Sequence, residues 1–390
     1  STLFPYTTLF RSRSTDISDF SFSDFNTKKV TNMSHLLEDN PSLISVNATG
    51  ADTSNVIDMS YMFKSVSSVV YMVLTYFDTK NVKYMNNMFQ DCITLSLLGL
   101  NFNTSNVVDL SYFLDSCFTL SLVDVSNFDT SNVKNMSNMF RYCSSLGYLY
   151  LGNWNTKKLE DAHGLFASCR TFKEIDISTL DLSNNLDMSE MFYECSALEN
   201  IIFGNINTAK VKNMSSIFDS CRSLTSIDVS KFNTGNVIDM SKMFQDCTQL
   251  ASIDVSNFAT NNVQNMSRLF EGCLGLTSLN VRNFNTQNVK DMSKMFEFTT
   301  LTSLDVSRFV TENVISMLDM FAEMRKLESL DVSNFRTPNV KDMAGMFFDC
   351  NLLEELDVSK FDTKNVEDFS YTFYGLNRVK ILDISGFRTD

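Results

Sequence analysis

The chain has 390 residues, a formal charge of −14 and 44% hydrophobic residues. This acidity argues against nucleic acid, which needs clustered Lys and Arg to displace phosphate counterions, and against anionic membrane; no apolar run approaches the ~20 residues of a membrane span. With 34 Phe and 21 Met against 1 Trp, and only 12 Gly and 3 Pro, the core reuses a few residue types and no stretch has linker composition.

The first stretch, Thr2 to Ser12, fits no later pattern and resembles the in-frame translation of a sequencing adapter, so residues 1–12 are set aside as non-native. From Phe25-Asn26-Thr27 onward one unit recurs. Aligned on the Phe of Met-Phe, it returns at Leu37, Phe63, Phe89, Leu114, Phe140, Phe166, Phe192, Phe218, Phe244, Phe270, Phe296, Phe321, Phe347 and Phe373, in steps of 26 residues with two of 25. A period of this length with Leu, Ile and Val at fixed offsets is the signature of a leucine-rich-repeat solenoid. The expectation for 13–390 is therefore a single repeat solenoid, truncated at both ends.

Within a repeat, Val237, Met240, Met243, Phe244 and Cys247 fall three and four apart, which predicts one face of a short helix. Asn236, with Asp239 three residues on, predicts its N-terminal cap. Leu250, Ile253 and Val255 then predict a short strand whose inward residues alternate with Ser252, Asp254 and Ser256. The expected class is α/β, with one parallel β-sheet on the concave face and short helices on the convex face.

Stacking at ~4.8 Å places equivalent residues in columns. All nine cysteines follow the repeat Phe by three residues, from Cys92 to Cys350, and none lies elsewhere. One thiol per apolar face reads as a small buried hydrophobe rather than a disulfide framework, and no Cys-x-x-Cys suggests metal or redox chemistry. Thr and Asn columns, as at Thr234 and Asn236, read as turn residues that satisfy backbone groups. Asp124, Asp176, Asp228, Asp254, Asp305, Asp331, Asp357 and Asp383 share an outward strand position, each two residues before a Ser. They form either hydrogen bonds to backbone and Ser, or an acidic strip for a basic partner or divalent cations. In the amino-terminal half the outward positions turn apolar, at Tyr71, Val73, Tyr148, Tyr150 and Ile202, with Leu97 and Leu122 beside them; such clustering marks binding surfaces more often than scattered exposure does, with drift in the repeat as the competing reading.

Nothing resembles a catalytic centre or calls for a cofactor. His35 and His163 are the only histidines and lie far apart, and there is no phosphate loop, nucleophile elbow or zinc spacing. The Asn-Met-Ser triplets at Asn32, Asn135, Asn213 and Asn265 fit the glycosylation acceptor pattern, but arise from the repeat itself.

The unit Leu-x-Ser-Ile/Leu-Asp-Val-Ser-x-Phe-x-Thr-x-Asn-Val-x-Asp/Asn-Met-Ser-x-Met-Phe-x-x-Cys, clearest from Leu224 to Leu276, resembles the BspA-like leucine-rich-repeat surface proteins of bacteria and some protists. The resemblance implies an extracellular or cell-surface protein that binds other proteins or cells and is not an enzyme. It names no ligand and no binding residue. Competing expectations are a structural spacer or cation-stiffened rod and, further off, a polysaccharide-active β-solenoid enzyme.

Overall fold

A computed structural model describes residues 17–388; the adapter-like segment and Thr389 lie outside the described residues. Packing divides the chain into two units: unit 1 is Ser1–Asn185 with Glu194–Ile206, and unit 2 is Leu186–Tyr193 with Asn207–Asp390. Each is a stack of repeats.

In unit 1 the strand row includes β1 (Asp19–Ser21) paired in parallel with β2 (Ser45–Asn47), β3 (Tyr71–Val73) with β4 (Leu97–Gly99), and β5 (Glu174–Asp176) with β6 (Asn200–Ile202). Unit 2 contributes β7 (Ser303–Leu304) paired with β8 (Ser329–Leu330). The expected single sheet is thus a series of two-stranded pairs. Part of the reason lies in the Asp-Val-Ser sequence itself: the Ser256 N–H donates to Asp254 Oδ1 at 2.9 Å, so a side chain takes the donor that a neighbouring strand would use.

The predicted helices are absent. Among the described residues the only helical element is a 3-10 turn at Phe22–Asp24. The stretch read as a helix instead forms consecutive tight turns. Met240, Lys242, Phe244 and Asp246 donate their N–H groups to Asn265, Ser267, Leu269 and Glu271 of the next repeat, at 2.8–3.0 Å, while Met243, Gln245 and Cys247 bond back three residues. Unit 1 repeats the scheme, with Met136, Asn138, Phe140 and Tyr142 donating to Asp161, His163, Leu165 and Ala167. We call this second row the turn ladder. An α-helix would spend every N–H on its own carbonyl four residues back and would hold neighbouring repeats 8–10 Å apart. The turn ladder keeps them at strand spacing, and Val237, Met240, Met243, Phe244 and Cys247 are buried all the same. The expected cap is likewise a local turn: Asp239 Oδ1 accepts the Ser241 N–H at 2.8 Å.

This geometry requires two residues per repeat at positive φ, such as Lys242 (58°) and Asp246 (52°). Gly345 occupies one of these places at φ 60°, and a Cβ there would lie 1.9 Å from Asp319 Oδ1. In a helix, Gly345→Ala would stabilise by about 1 kcal/mol; here it is expected to destabilise by about 1–3 kcal/mol. Urea unfolding followed by circular dichroism reads the sign directly.

The core lies between the strand row and the turn ladder. Phe rings stack through successive repeats, with centroids 5.6 Å apart for Phe63–Phe89, Phe218–Phe244 and Phe244–Phe270. All nine thiols are free and buried. Each donates to the carbonyl of the preceding repeat's Phe or Leu, as Cys247 Sγ does to Phe218 O at 3.2 Å, and burial pushes the Cys92 and Cys195 thiols up to about 12. These are structural groups, not reactive ones.

The Thr and Asn columns stitch repeats together in opposite directions along the chain. Thr208 Oγ1 donates to Asn233 O at 2.9 Å and accepts the Asn233 N–H at 2.8 Å. Asn236 reaches back, its amide donating to Ala209 O at 2.7 Å.

Candidate functional site

The outward face of the strand row carries the residues singled out from sequence. In unit 1, four consecutive repeats place Tyr71, Leu97, Leu122 and Tyr148 at one column position. Tyr71 pairs in register with Leu97, and Leu97 bridges to Leu122. Their exposures are 70%, 50%, 52% and 75%. At strand spacing the four form a ridge of about 14 Å. A second column flanks it: Val73 faces Gly99, and Asp124 bridges to Tyr150. Tyr150 is largely exposed, and Val70 adds a further exposed side chain. Ile202 sits farther along unit 1, opposite Asp176, and stands apart from the ridge. The alternating pleat causes the exposure, because Met72 and Leu98, between the outward residues, are buried.

The Asp column is exposed throughout, with Asp124 and Asp176 in unit 1 and the other six in unit 2. Each carboxylate accepts the N–H of the Ser two residues on, at 2.8–3.1 Å. Hydrogen bonds from that Ser hold the carboxyls of Asp124, Asp176, Asp228, Asp254, Asp305, Asp357 and Asp383 below their ordinary range. The column is thus, first, a row of local turns.

In unit 2 it also borders a groove of about 670 Å³, where Asp305 and Asp331 are joined by Glu328, Glu354 and Glu355. Reading one column at a time missed these three glutamates; the acidic drift from Thr302 to Glu328 and Glu354 at equivalent positions was the available signal. Arg282 lies 3.1 Å from Asp305. Among the described residues no group of three or more His, Cys, Asp or Glu is placed to hold a metal ion.

The turn ladder carries carboxyls of opposite behaviour. Asp219 is buried, and burial pushes it up to about 6, opposed by the Ser220 hydroxyl and by Lys242, with Asp246 reinforcing the rise and Ser216 opposing it. A raised carboxyl contributes stability that is complete below its unfolded value of about 4 and is lost as pH climbs through about 6. The strand-face Asp residues contribute the reverse, stability that is lost as pH falls below about 4. Thermal stability is therefore expected to rise, by about 1 kcal/mol, between about pH 7.5 and 5. Melting curves across this range check it, and Asp219→Asn should flatten the rise.

The two histidines lie in different repeats. His35 Nδ1 contacts Glu38 Oε2 at 2.5 Å and its ring stacks on Tyr61, while the His163 N–H donates to Asp161 Oδ1. The acceptor-pattern asparagines sit in the turn ladder, where Asn213 and Asn265 donate to Asp187 and Asp239 of the preceding repeats.

A family profile described as "Mycoplasma protein of unknown function, DUF285" matches residues 6–121, 109–204, 197–300 and 275–387, spanning nearly the whole chain. Similar solved structures include a leucine-rich repeat protein from Bacteroides ovatus (18% identity, 83% of this chain and 81% of that chain, TM-score 0.44). Another is a leucine rich cell surface protein from Faecalibacterium prausnitzii (14% identity, 83% and 81%, TM-score 0.33). None of the curated proteins matches.

Proposed function

The chain belongs to the DUF285 family, and from that premise we propose that it is a non-enzymatic binding module, displayed outside the cell, that holds a partner protein or cell surface on its strand face. The observation that carries this reading is the ridge of Tyr71, Leu97, Leu122 and Tyr148. Unit 2 fills the equivalent column with Ser226, Ser252 and Ser278, so the repeat folds without apolar side chains there. Exposing four of them in succession has a solvation cost that a partner would remove on binding. The surface location rests on the resemblance of the repeat unit.

The test replaces all four ridge residues with Ser, the residue that the repeat itself accepts. Retention of cultured epithelial cells on plates coated with the protein is expected to fall to the albumin background for this variant. Undiminished retention would refute the ridge, and background retention by the unaltered protein would refute a cell-surface partner.

The polysaccharide-active reading would call for strands on more than one face, and the turn ladder supplies a second parallel row in place of the expected helices. A general acid needs a raised carboxyl; at the acidic groove Ser307 holds Asp305 the opposite way, below its ordinary range.

A further inference from the structure

The ridge of unit 1 reads the same in both directions. Along it stand Tyr71, Leu97, Leu122 and Tyr148, with tyrosine at each end and leucine at each inner place. A row that survives reversal can pack on its own copy, because a two-fold axis sets residue i against j and j against i. Two strand faces pack about 10 Å apart with their strands within about 30° of one another. For such a pair the axis that uses this row runs along the strands, midway between those of Leu97 and Leu122. It sets Leu97 opposite the partner's Leu122 and Tyr71 opposite the partner's Tyr148.

The flanking columns obey the same operation. Two residues on, Val73 comes opposite the partner's Tyr150 and Gly99 opposite the partner's Asp124; one residue back, Val70 comes opposite the partner's Gly147. Each pair sets a smaller residue against a larger one, which is what two interdigitating faces require.

Charge is the more discriminating criterion in so acidic a chain. The register within one copy is fixed by the pairs Asp19–Ser45, Tyr71–Leu97 and Glu174–Asn200 and by the bridges Leu97–Leu122 and Asp124–Tyr150. Continuing outward under the same axis, Ser45 meets the partner's Glu174, Asn47 the partner's Asp176, and Asp19 the partner's Asn200. No carboxylate in these two columns faces another from Asp19 to Asn200. A two-fold along the columns would instead set Asp124 and Glu174 each against its own copy, and like charges directly opposite are destabilising. The unit 2 face, with Asp228, Asp254, Asp305, Asp331 and Asp357 in the column of Asp124, sets carboxylate on carboxylate under either two-fold.

We propose that the unit 1 strand face is a self-association surface, and that the partner protein of the ridge is a second copy of this chain, held in a two-fold dimer. This rests on the ridge being the docking surface, as proposed above.

Sedimentation velocity over a dilution series reads the dimer directly. The unaltered chain is expected to dimerise with a micromolar dissociation constant, in keeping with the low end of interface sizes, and the variant with all four ridge residues replaced by Ser to stay monomeric. Position 99 tests the register. Gly99 is not at positive φ, and a Cβ there meets only Val73, at an ordinary 3.6 Å or more, so a side chain is accommodated. Gly99→Lys, Gly99→Gln and Gly99→Glu then differ chiefly in the charge set beside the partner's Asp124. At low salt the dissociation constant should rise in that order, by about 10-fold or more from first to last, and the spread should close at high salt. The same three replacements of Ser278, in unit 2, should spread it by less than about 2-fold, which separates a local contact from net charge. A chain monomeric at every concentration up to its solubility limit, a dimer that survives the four-Ser change, or equal spreads at positions 99 and 278 would each overturn the proposal. A monomer whose cell retention still disappears with the four-Ser change would leave the ridge as a docking surface and remove only the second copy; a ridge-dependent dimer with background cell retention would do the reverse.

Discussion

Phe244→Ala is expected to lower the free energy of unfolding by about 3–5 kcal/mol, the largest effect of any single core truncation proposed for this chain. Phe244 is fully buried and its ring lies 5.6 Å from those of Phe218 and Phe270. Its carbonyl accepts both the Cys247 N–H at 3.2 Å and the Cys273 thiol at 3.1 Å. The neighbouring repeats are fixed by backbone bonds on both sides of the core, so they can collapse only slightly into the space left behind, and the cavity adds to the lost transfer energy. Phe244→Leu offers the control. Leu37 and Leu114 already occupy this column, and the cost should fall to about 1–2 kcal/mol. Urea denaturation followed by far-ultraviolet circular dichroism measures both. A cost for the alanine variant no greater than that for leucine would mean that the stacked rings do not hold the repeats together.

The second large effect is electrostatic. Asp115 is buried, and its carboxylate accepts two bonds from Arg141 and one from Gln90 Nε2 at 2.9 Å. Arg141→Met leaves that charge in the interior without its partner, which costs about 3–5 kcal/mol for a fully buried pair; because the Arg141 side chain is 31% exposed, about 2–4 kcal/mol is expected. Adding Asp115→Asn removes the orphaned charge and should recover more than half of the loss. The single Trp provides a local reporter, since Trp154 is buried in unit 1 with its indole N–H on Val125 O at 3.0 Å. Its emission should shift at lower urea in Arg141→Met and return towards the original midpoint in the double variant. Additive effects of the two changes would show that the pair is not coupled.

Much of the candidate surface was legible in the chain. Tyr71 and Val73 were readable as outward because Met72 stands between them, and Tyr148 and Tyr150 because Leu149 does, in a period of two that a pleat places on opposite sides. The outward position of the Asp column was legible too, but that each carboxylate closes a local turn depends on where Oδ1 points, and it points at the N–H of Ser126, Ser178 and their equivalents.

The sequence alone determined the repeat, its period, its buried columns and the inertness of its cysteines, because identical volumes stacked in register leave each apolar residue one place to go. Only the tertiary structure decided that the Val-Met-Met-Phe-Cys face is a turn ladder. Helix and ladder bury the same residues at the same three- and four-residue spacing, so hydrophobic periodicity cannot separate them. What separates them is the destination of alternate N–H groups, and Met240, Lys242, Phe244 and Asp246 find their acceptors in the next repeat, an arrangement that no single repeat can form by itself.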